Sequence, residues 1–377
     1  MKYLPVSRFV LLASLLVLIA AELHAQPKAE PQQPTLWLAP KVRQLPHNHM
    51  GPFVKRADGA IAAVNETQSL VSRDEGKTWE AAPLFSAEQQ KQPLNVRGER
   101  AICLTKSGAI IVAFVNDKEK KWTWKNELGD APGAILPTYA MRSLDGGKTW
   151  QDIQKLHDDW SGAVRDMIQT KEGLVIFTAM KMLHNPGRHS VLTYWSDDDG
   201  KTWQPSNLID LGGKGHHGGV TEPTLVELAD GRVWMLIRTN WGEFWSAWSP
   251  DGGRTWRILE PSGIAASSAP AVIKRLASGK LALLWNLPYP EGKSEFPLSG
   301  GDGLWSEVPV SNHRSELALA FSSDEGKTWS KPAIIARLPK KWVSYPYLFE
   351  PEPGTLWVTT MQGGLRAELR EADFVGK

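Results

Sequence analysis

The sequence predicts an all-β fold, a propeller of four-stranded antiparallel blades. Two observations predict it. One eight-residue pattern is written five times: SRDEGKTW from Ser72, SLDGGKTW from Ser143, SDDDGKTW from Ser196, SPDGGRTW from Ser249 and SSDEGKTW from Ser322. Copies recurring every ~50–70 residues point to a propeller or array rather than a helical solenoid. The second observation is a set of short apolar runs that open on glycine turns: KSG before AIIVAF (109–114), KEG before LVIFTAM (174–180) and ADG before RVWMLIR (232–238). Such runs have strand character.

The repeating unit is therefore strand, glycine turn, strand, loop, strand, motif, strand, which makes one antiparallel blade. A sixth unit follows near the C-terminus. It has strand signals around SYPYLFE (344–350) and TLWVTT (355–360) but no copy of the motif.

The motif is a hairpin plug. Its Asp can accept bonds from backbone N–H groups inside the turn, and its Gly supplies a positive φ. Ser bonds across the same turn, and Trp fills the space beside it. Five equivalent copies around a ring lie at separate outer corners. Their Asp residues cannot converge on one substrate, so the repeat is read as structural rather than catalytic.

Composition narrows the function. The chain has 377 residues, 42% hydrophobic and 22% charged, with a formal net charge of +2. No clustered basic patch favours a nucleic acid or a membrane surface. The 18 Trp residues suit repeat cores and sugar-binding surfaces. Lys2 and Arg8 flank an apolar run over 9–21, and ELHAQ offers a cleavage site after Ala25. Residues 1–25 read as a secretory signal peptide rather than a membrane span, which implies a secreted or periplasmic protein. Residues 26–46 read as a lead-in segment and 47–377 as the propeller. The single cysteine, Cys103, excludes an internal disulfide and sits in the apolar stretch AICL, as a buried structural thiol would.

S-x-D-x-G-x-T-W is the Asp-box, or BNR repeat, and with five copies the chain resembles the sialidase superfamily over roughly 47–365. The resemblance implies a six-bladed β-propeller. It also extends beyond the boxes. In 218–240 (GGVTEPTLVELADGRVWMLIRTN) a Glu begins a strand, a DG turn follows and an Arg ends the next strand, as in the family's fourth blade. These are Glu222 and Arg238, and a hairpin returns both to one rim. SNHRSELALAFSSDEGKTW (311–329) is similar to the segment in which another Arg, here Arg314, precedes an Asp-box. SYPYLFE resembles the start of the last blade, with Tyr345 at the tyrosine position.

The resemblance implies Tyr345 as nucleophile, Glu222 as its base, and Arg238 and Arg314 as a clamp on the substrate carboxylate. Guanidinium forks suit a carboxylate. A neutral phenol avoids the repulsion that an acidic substrate would exert on an Asp or Glu nucleophile. Two family features are replaced. Met50 stands where the first-blade arginine belongs, in HNHMGPFV (47–54). The short link to the first box leaves only Asn65 and Glu66 where the family carries an Asp acid on a loop.

Histidine stands there instead. His47 and His49 alternate, so an extended strand puts both on one side. His216 and His217 precede Glu222, and His313 adjoins Arg314. Imidazole works as acid or base near neutral pH, so His47 and His49 are catalytic candidates, and His217 and His313 substrate-binding ones. No Cys or Asp/Glu ligand pattern accompanies them, so neither a metal nor a cofactor is expected. Trp241, with Trp245, Trp122, Trp124 and Trp305, offers faces for sugar stacking.

Three functions stay open. The first is an exported, exo-acting hydrolase of a terminal acidic sugar. The second is a lyase or rhamnosidase-type enzyme using histidines on the same scaffold. The third is a non-catalytic glycan-binding propeller. All three imply a glycan partner, and the sequence carries no signal for oligomeric state.

Overall fold

The computed structural model describes residues 35–302 and 305–375. The proposed signal peptide lies outside them. The strands form six antiparallel blades, in chain order over 54–83, 100–157, 167–205, 221–265, 272–337 and 344–370. Each blade runs from an inner strand outward, and the inner strands of successive blades touch from blade one through blade six. A small hairpin, Leu298–Gly300 with Pro309–Ser311, is inserted in the fifth blade.

The core is divided among the blade interfaces. Six buried hydrophobic clusters are present among the described residues, one for each neighbouring pair of blades. Five receive a motif tryptophan: Trp79 between blades six and one, Trp150 between one and two, Trp203 between two and three, Trp256 between three and four, and Trp329 between four and five. Each box therefore leans on the blade before its own. Cys103 belongs to the cluster between blades two and three, where burial pushes its thiol up to about 12.

The internal bonding of the motif is the same in all five copies. The Ser hydroxyl donates to the Asp carboxylate at 2.7–2.9 Å and accepts from the Gly N–H at 2.7–2.8 Å. The Thr N–H and hydroxyl both donate to the same carboxylate at 2.6–2.9 Å. The Thr78 bonds hold Asp74 at about 2. Gly76 has φ +84°, and a Cβ there would come within 2.6 Å of Trp357 on blade six. A side chain at that position would push the two blades apart.

Trp256 shows what one box contributes. It is 4% exposed, and its Nε1 donates to Thr193 Oγ1 at 2.9 Å on the preceding blade. Trp256→Ala is expected to lower unfolding free energy by about 3–5 kcal/mol. Urea denaturation followed by circular dichroism measures this.

Blade six lacks the motif for a topological reason. Its outer strand is Arg43–Gln44, which pairs with Arg366–Arg370 from the other end of the chain. Its third and fourth strands are not consecutive, so there is no hairpin to plug. Trp37–Leu38 adds a fifth strand to blade five. The cluster between blades five and six has no motif tryptophan and takes Ala39, Val42 and Phe374 instead. The segment read as a lead-in supplies both of these strands.

Candidate active site

Glu222 and Tyr345 stand out first in the backbone. Both lie in inner strands, Thr221–Glu227 of blade four and Ser344–Glu352 of blade six. Both hold positive φ, +48° and +62°. Non-glycine residues pay for that conformation with strain, and such residues gather at functional sites. The ladder shifts register just after Thr221, so Glu222 leaves the regular pairing.

Arg238 joins the two. It ends the strand Val233–Arg238 and pairs with Thr221 across the hairpin. Its Nη1 donates to Glu222 Oε2, and also to Tyr345 Oη at 3.4 Å. Its Nη2 donates to Ser268 Oγ at 2.8 Å, which donates to Asn240 Oδ1 at 2.6 Å. Arg314 donates to the Ser268 carbonyl and lies 5.7 Å from the Tyr345 ring centroid. Four of the expected residues are brought together here, from blades four, five and six.

Arg165 completes the group, and the sequence reading missed it. It sits just before the inner strand of blade three, 5.2 Å over the Tyr345 ring. Its Nη2 donates to Pro346 O at 3.0 Å and its Nη1 to Tyr347 Oη at 3.3 Å.

These charges set the titration of the site. Burial alone pushes the Glu222 carboxyl up, but Arg238, Arg165 and Arg314 overcome it and hold it at about 2. Burial, reinforced by Glu222, pushes the Tyr345 phenol up to about 12 against Arg238 and Arg314. At neutral pH the site therefore holds a carboxylate and a neutral phenol.

A cavity of about 260 Å³ opens over this group, lined also by Arg97, Glu99, Lys120, Trp122 and His217. Glu99 immediately precedes the strand Arg100–Leu104 of blade two and is 4% exposed. Burial raises its carboxyl to about 7, with Arg97 opposing and Glu222 adding to the rise. Below about 4.5, the ordinary value, folded and unfolded chains both carry this proton. As pH rises from there to about 7, the unfolded chain has released it and the folded chain still holds it, so stability falls by about 3 kcal/mol across the window. Glu99→Gln removes that titration. The variant is expected to be more stable than wild type at pH 8 and equal to it at pH 4, by urea denaturation at both values.

The histidines divide. His217 lines the cavity, stacked on Trp305 with ring centroids 5.5 Å apart, and its Nδ1 shares a hydrogen bond with His216 Nδ1. Burial, then Arg238 and His216, lower it to about 3, so it is neutral. His47 and His49 are not at this site, contrary to expectation. They do share one side, 5.9 Å apart, but that side faces Trp79 of the first box. His47 is enclosed by Trp79, Trp357 and Phe53 and is held neutral by burial, at about 4. His313 also departs from expectation. It is fully buried, with Nδ1 on Leu287 O and Nε2 on Ser315 Oγ, both at 2.9 Å. Trp241 is 39% exposed and packs on Trp245, and it does not line the cavity. Trp122 does, against Trp160 at 4.2 Å.

A second cavity, about 360 Å³, lies among the inner strands and includes Asp166 and Lys274. Its Asp166 is occupied by Thr224 Oγ1 at 2.5 Å and Leu225 N at 2.9 Å. No group of three or more His, Cys, Asp or Glu among the described residues is placed to hold a metal ion. No helix among them is long and apolar enough to cross a membrane.

The family model of the BNR repeat-like domain matches residues 69–358, most of the propeller. The chain belongs to the BNR repeat-like family. Within it, this member is similar to a sialidase of Micromonospora viridifaciens, 23% identical over 283 residues, 68% of this chain and 39% of that one. It is also similar to a sialidase of Vibrio cholerae, 27% identical over 168 residues, 38% of this chain and 19% of that one. The BNR chain thus spans less than half the length of either relative. Among solved structures, a Hadza microbial sialidase aligns with TM-score 0.58 at 18% identity, over 86% of this chain and 65% of that one. Trypanosoma rangeli sialidase aligns with 0.56 at 14%, over 90% and 60%. A protein of unknown function from Dyadobacter fermentans aligns with 0.58 at 18%, over 88% and 100%. At these identities the structural likeness establishes the six-bladed propeller alone.

Glu99 and Arg165 share one signal that sequence reading can use. Each stands immediately before or within two residues of the inner strand of its blade, as Glu222 and Tyr345 stand at the start of theirs. In a propeller those positions converge on the axis, whatever the residue type.

Proposed function

We propose that this BNR propeller is an exported glycoside hydrolase that releases a terminal acidic sugar from glycans. The observation that carries the reading is Arg238 Nη1, which bonds Glu222 and Tyr345 Oη together beneath a small cavity. Five cations stand at or beside the cavity, Arg97, Lys120, Arg165, Arg238 and Arg314, against two carboxylates. In a chain of net charge +2 that local excess favours an anionic ligand. The cavity volume lies just under the ~300–1,000 Å³ of drug-sized pockets, which suits one sugar ring and hence exo-action.

In this reading Arg238 and Arg314 take the substrate carboxylate. Arg238 then divides its charge between that carboxylate and Glu222. Glu222 becomes more basic as the substrate binds, which lets it accept the Tyr345 proton as the phenol oxygen attacks the anomeric carbon. His217 and Trp122 serve the sugar hydroxyls and its apolar face. The similarity to named sialidases supports the same class. Export rests on the charged start and apolar run before Ala25.

The test is a screen of the purified protein against sialosides, uronides and rhamnosides, following both new reducing ends and near-ultraviolet absorbance. Reducing ends from an acidic sugar alone support the reading. An unsaturated, absorbing product makes the protein a lyase, and binding without turnover makes it a lectin.

A further inference from the structure

We propose that Glu99 is the acid that protonates the departing oxygen, an assignment that rests on the hydrolase reading above. The cavity is lined by only two carboxylates among the described residues, Glu99 and Glu222. They come from blades two and four, with Tyr345 on blade six. The three groups therefore approach the axis from alternate blades, and a sugar ring seated on Tyr345 has a carboxyl on each of two sides.

The surroundings of the two carboxyls push them in opposite directions. Glu222 is bonded to Arg238 and surrounded by guanidinium charge, which keeps it ionised. Glu99 is buried and meets one partner, Arg97 Nε at 2.5 Å from Oε2, a contact not aligned as a hydrogen bond. Its other neighbours include Glu222, whose charge favours the protonated form. Two titratable groups whose surroundings drive them apart mark a base and an acid.

The other candidates are placed elsewhere. Asn65 bonds Gln68 beside it, Glu66 is exposed, and neither lines the cavity. His47 and His49 lie in the aromatic cluster at the first box. The neighbouring histidines His216, His217 and His189 are all lowered by burial, so they carry no proton to give at neutral pH.

Tyr345 Oη bonds to the anomeric carbon as Glu222 takes the phenol proton. The glycosidic C–O bond breaks with its electron pair on the departing oxygen, which takes the Glu99 proton. In the second half a water attacks the anomeric carbon and gives its proton to the Glu99 carboxylate. The Tyr345 C–O bond breaks and the phenol regains its proton from Glu222. Both carboxyls end as they began.

The experiment compares wild type, Glu99→Gln and Glu99→Asp on two leaving groups, using 4-nitrophenyl and lactosyl glycosides of N-acetylneuraminic acid and of glucuronic acid. A 4-nitrophenolate departs without a proton, whereas a lactose oxygen needs one. Glu99→Gln is expected to lose on the order of 10²–10⁴-fold in kcat/KM on the lactosyl substrate and less than about tenfold on the aryl one. The wild-type profile for the lactosyl substrate should fall on the basic side of about pH 7, and that limb should vanish in Glu99→Gln and persist in Glu99→Asp. Equal losses on both leaving groups, no loss, or an unchanged basic limb overturn the assignment and leave the hydrolase reading standing. A wild type that cleaves none of the four glycosides overturns both.

Discussion

Tyr345→Phe is expected to reduce kcat for glycoside cleavage by about 10⁴-fold or more, the scale on which nucleophile removal acts in enzymes with covalent intermediates. The change removes one oxygen. The aromatic ring stays between Arg165 and Arg314, whose guanidinium groups lie 5.2 and 5.7 Å from its centroid. The lost hydroxyl accepts a long hydrogen bond from Arg238, at 3.4 Å. Stability should therefore move by about 1 kcal/mol or less. Binding of an acidic sugar should survive, because Arg238 and Arg314 remain. Steady-state kinetics on the substrate found by screening, with calorimetric binding of the free sugar acid, separates these effects. Full activity in Tyr345→Phe refutes the nucleophile role.

Arg238→Met should lower stability by about 3–5 kcal/mol, because it leaves Glu222 buried without its main partner. Glu222 is held at about 2 against an ordinary value of 4.5. Its contribution to wild-type stability is therefore fully present above about 4.5 and is lost as pH falls toward 2. In Arg238→Met that acid-side loss should shrink, since desolvation then acts against fewer opposing charges. Adding Glu222→Gln to Arg238→Met should restore part of the lost stability, because a neutral amide no longer needs a cation. Urea denaturation of the four members of this cycle at pH 7 measures the coupling, and the same series at about pH 3 reads the acid-side loss. A double variant no more stable than Arg238→Met would show that packing, not the unpaired charge, carries the cost.

The fold was readable because its unit is local. Each box contains its own bonds, from Ser72 to Trp79 and so on round the ring, so eight consecutive residues state a hairpin without reference to the rest. The Glu222–Arg238 pair was readable for a similar reason, since one hairpin brings its ends together. Tyr345 and Arg314 needed the resemblance, as nothing near them in sequence declares a site. Glu99 and Arg165 escaped because their meaning is positional. A Glu in GERAICL and an Arg in AVRDM carry no motif, and only closure of the ring puts them beside Tyr345. His47 and His49 misled because alternation fixes that two side chains share a face but not which face. That face is filled by Trp79 and Trp357, residues of the first box and the last blade.

The pairing of Arg43–Gln44 with Arg366–Arg370 has a consequence for the order in which the molecule is made. Five interfaces receive a box from a hairpin that can form as soon as its own residues have been synthesised. The interface that Trp79 fills, between blades six and one, joins the two ends of the propeller and waits for the last blade, and the one between blades five and six waits for Ala39 and Val42 to meet it. Contacts between such distant residues form slowly, because a very long loop must close first. The ring therefore closes through blade six, which takes its outer strand from the earliest described residues and packs against blade one. That closure is the last part to assemble, and the natural place for a proteolytic cut near either end of the propeller to start opening it.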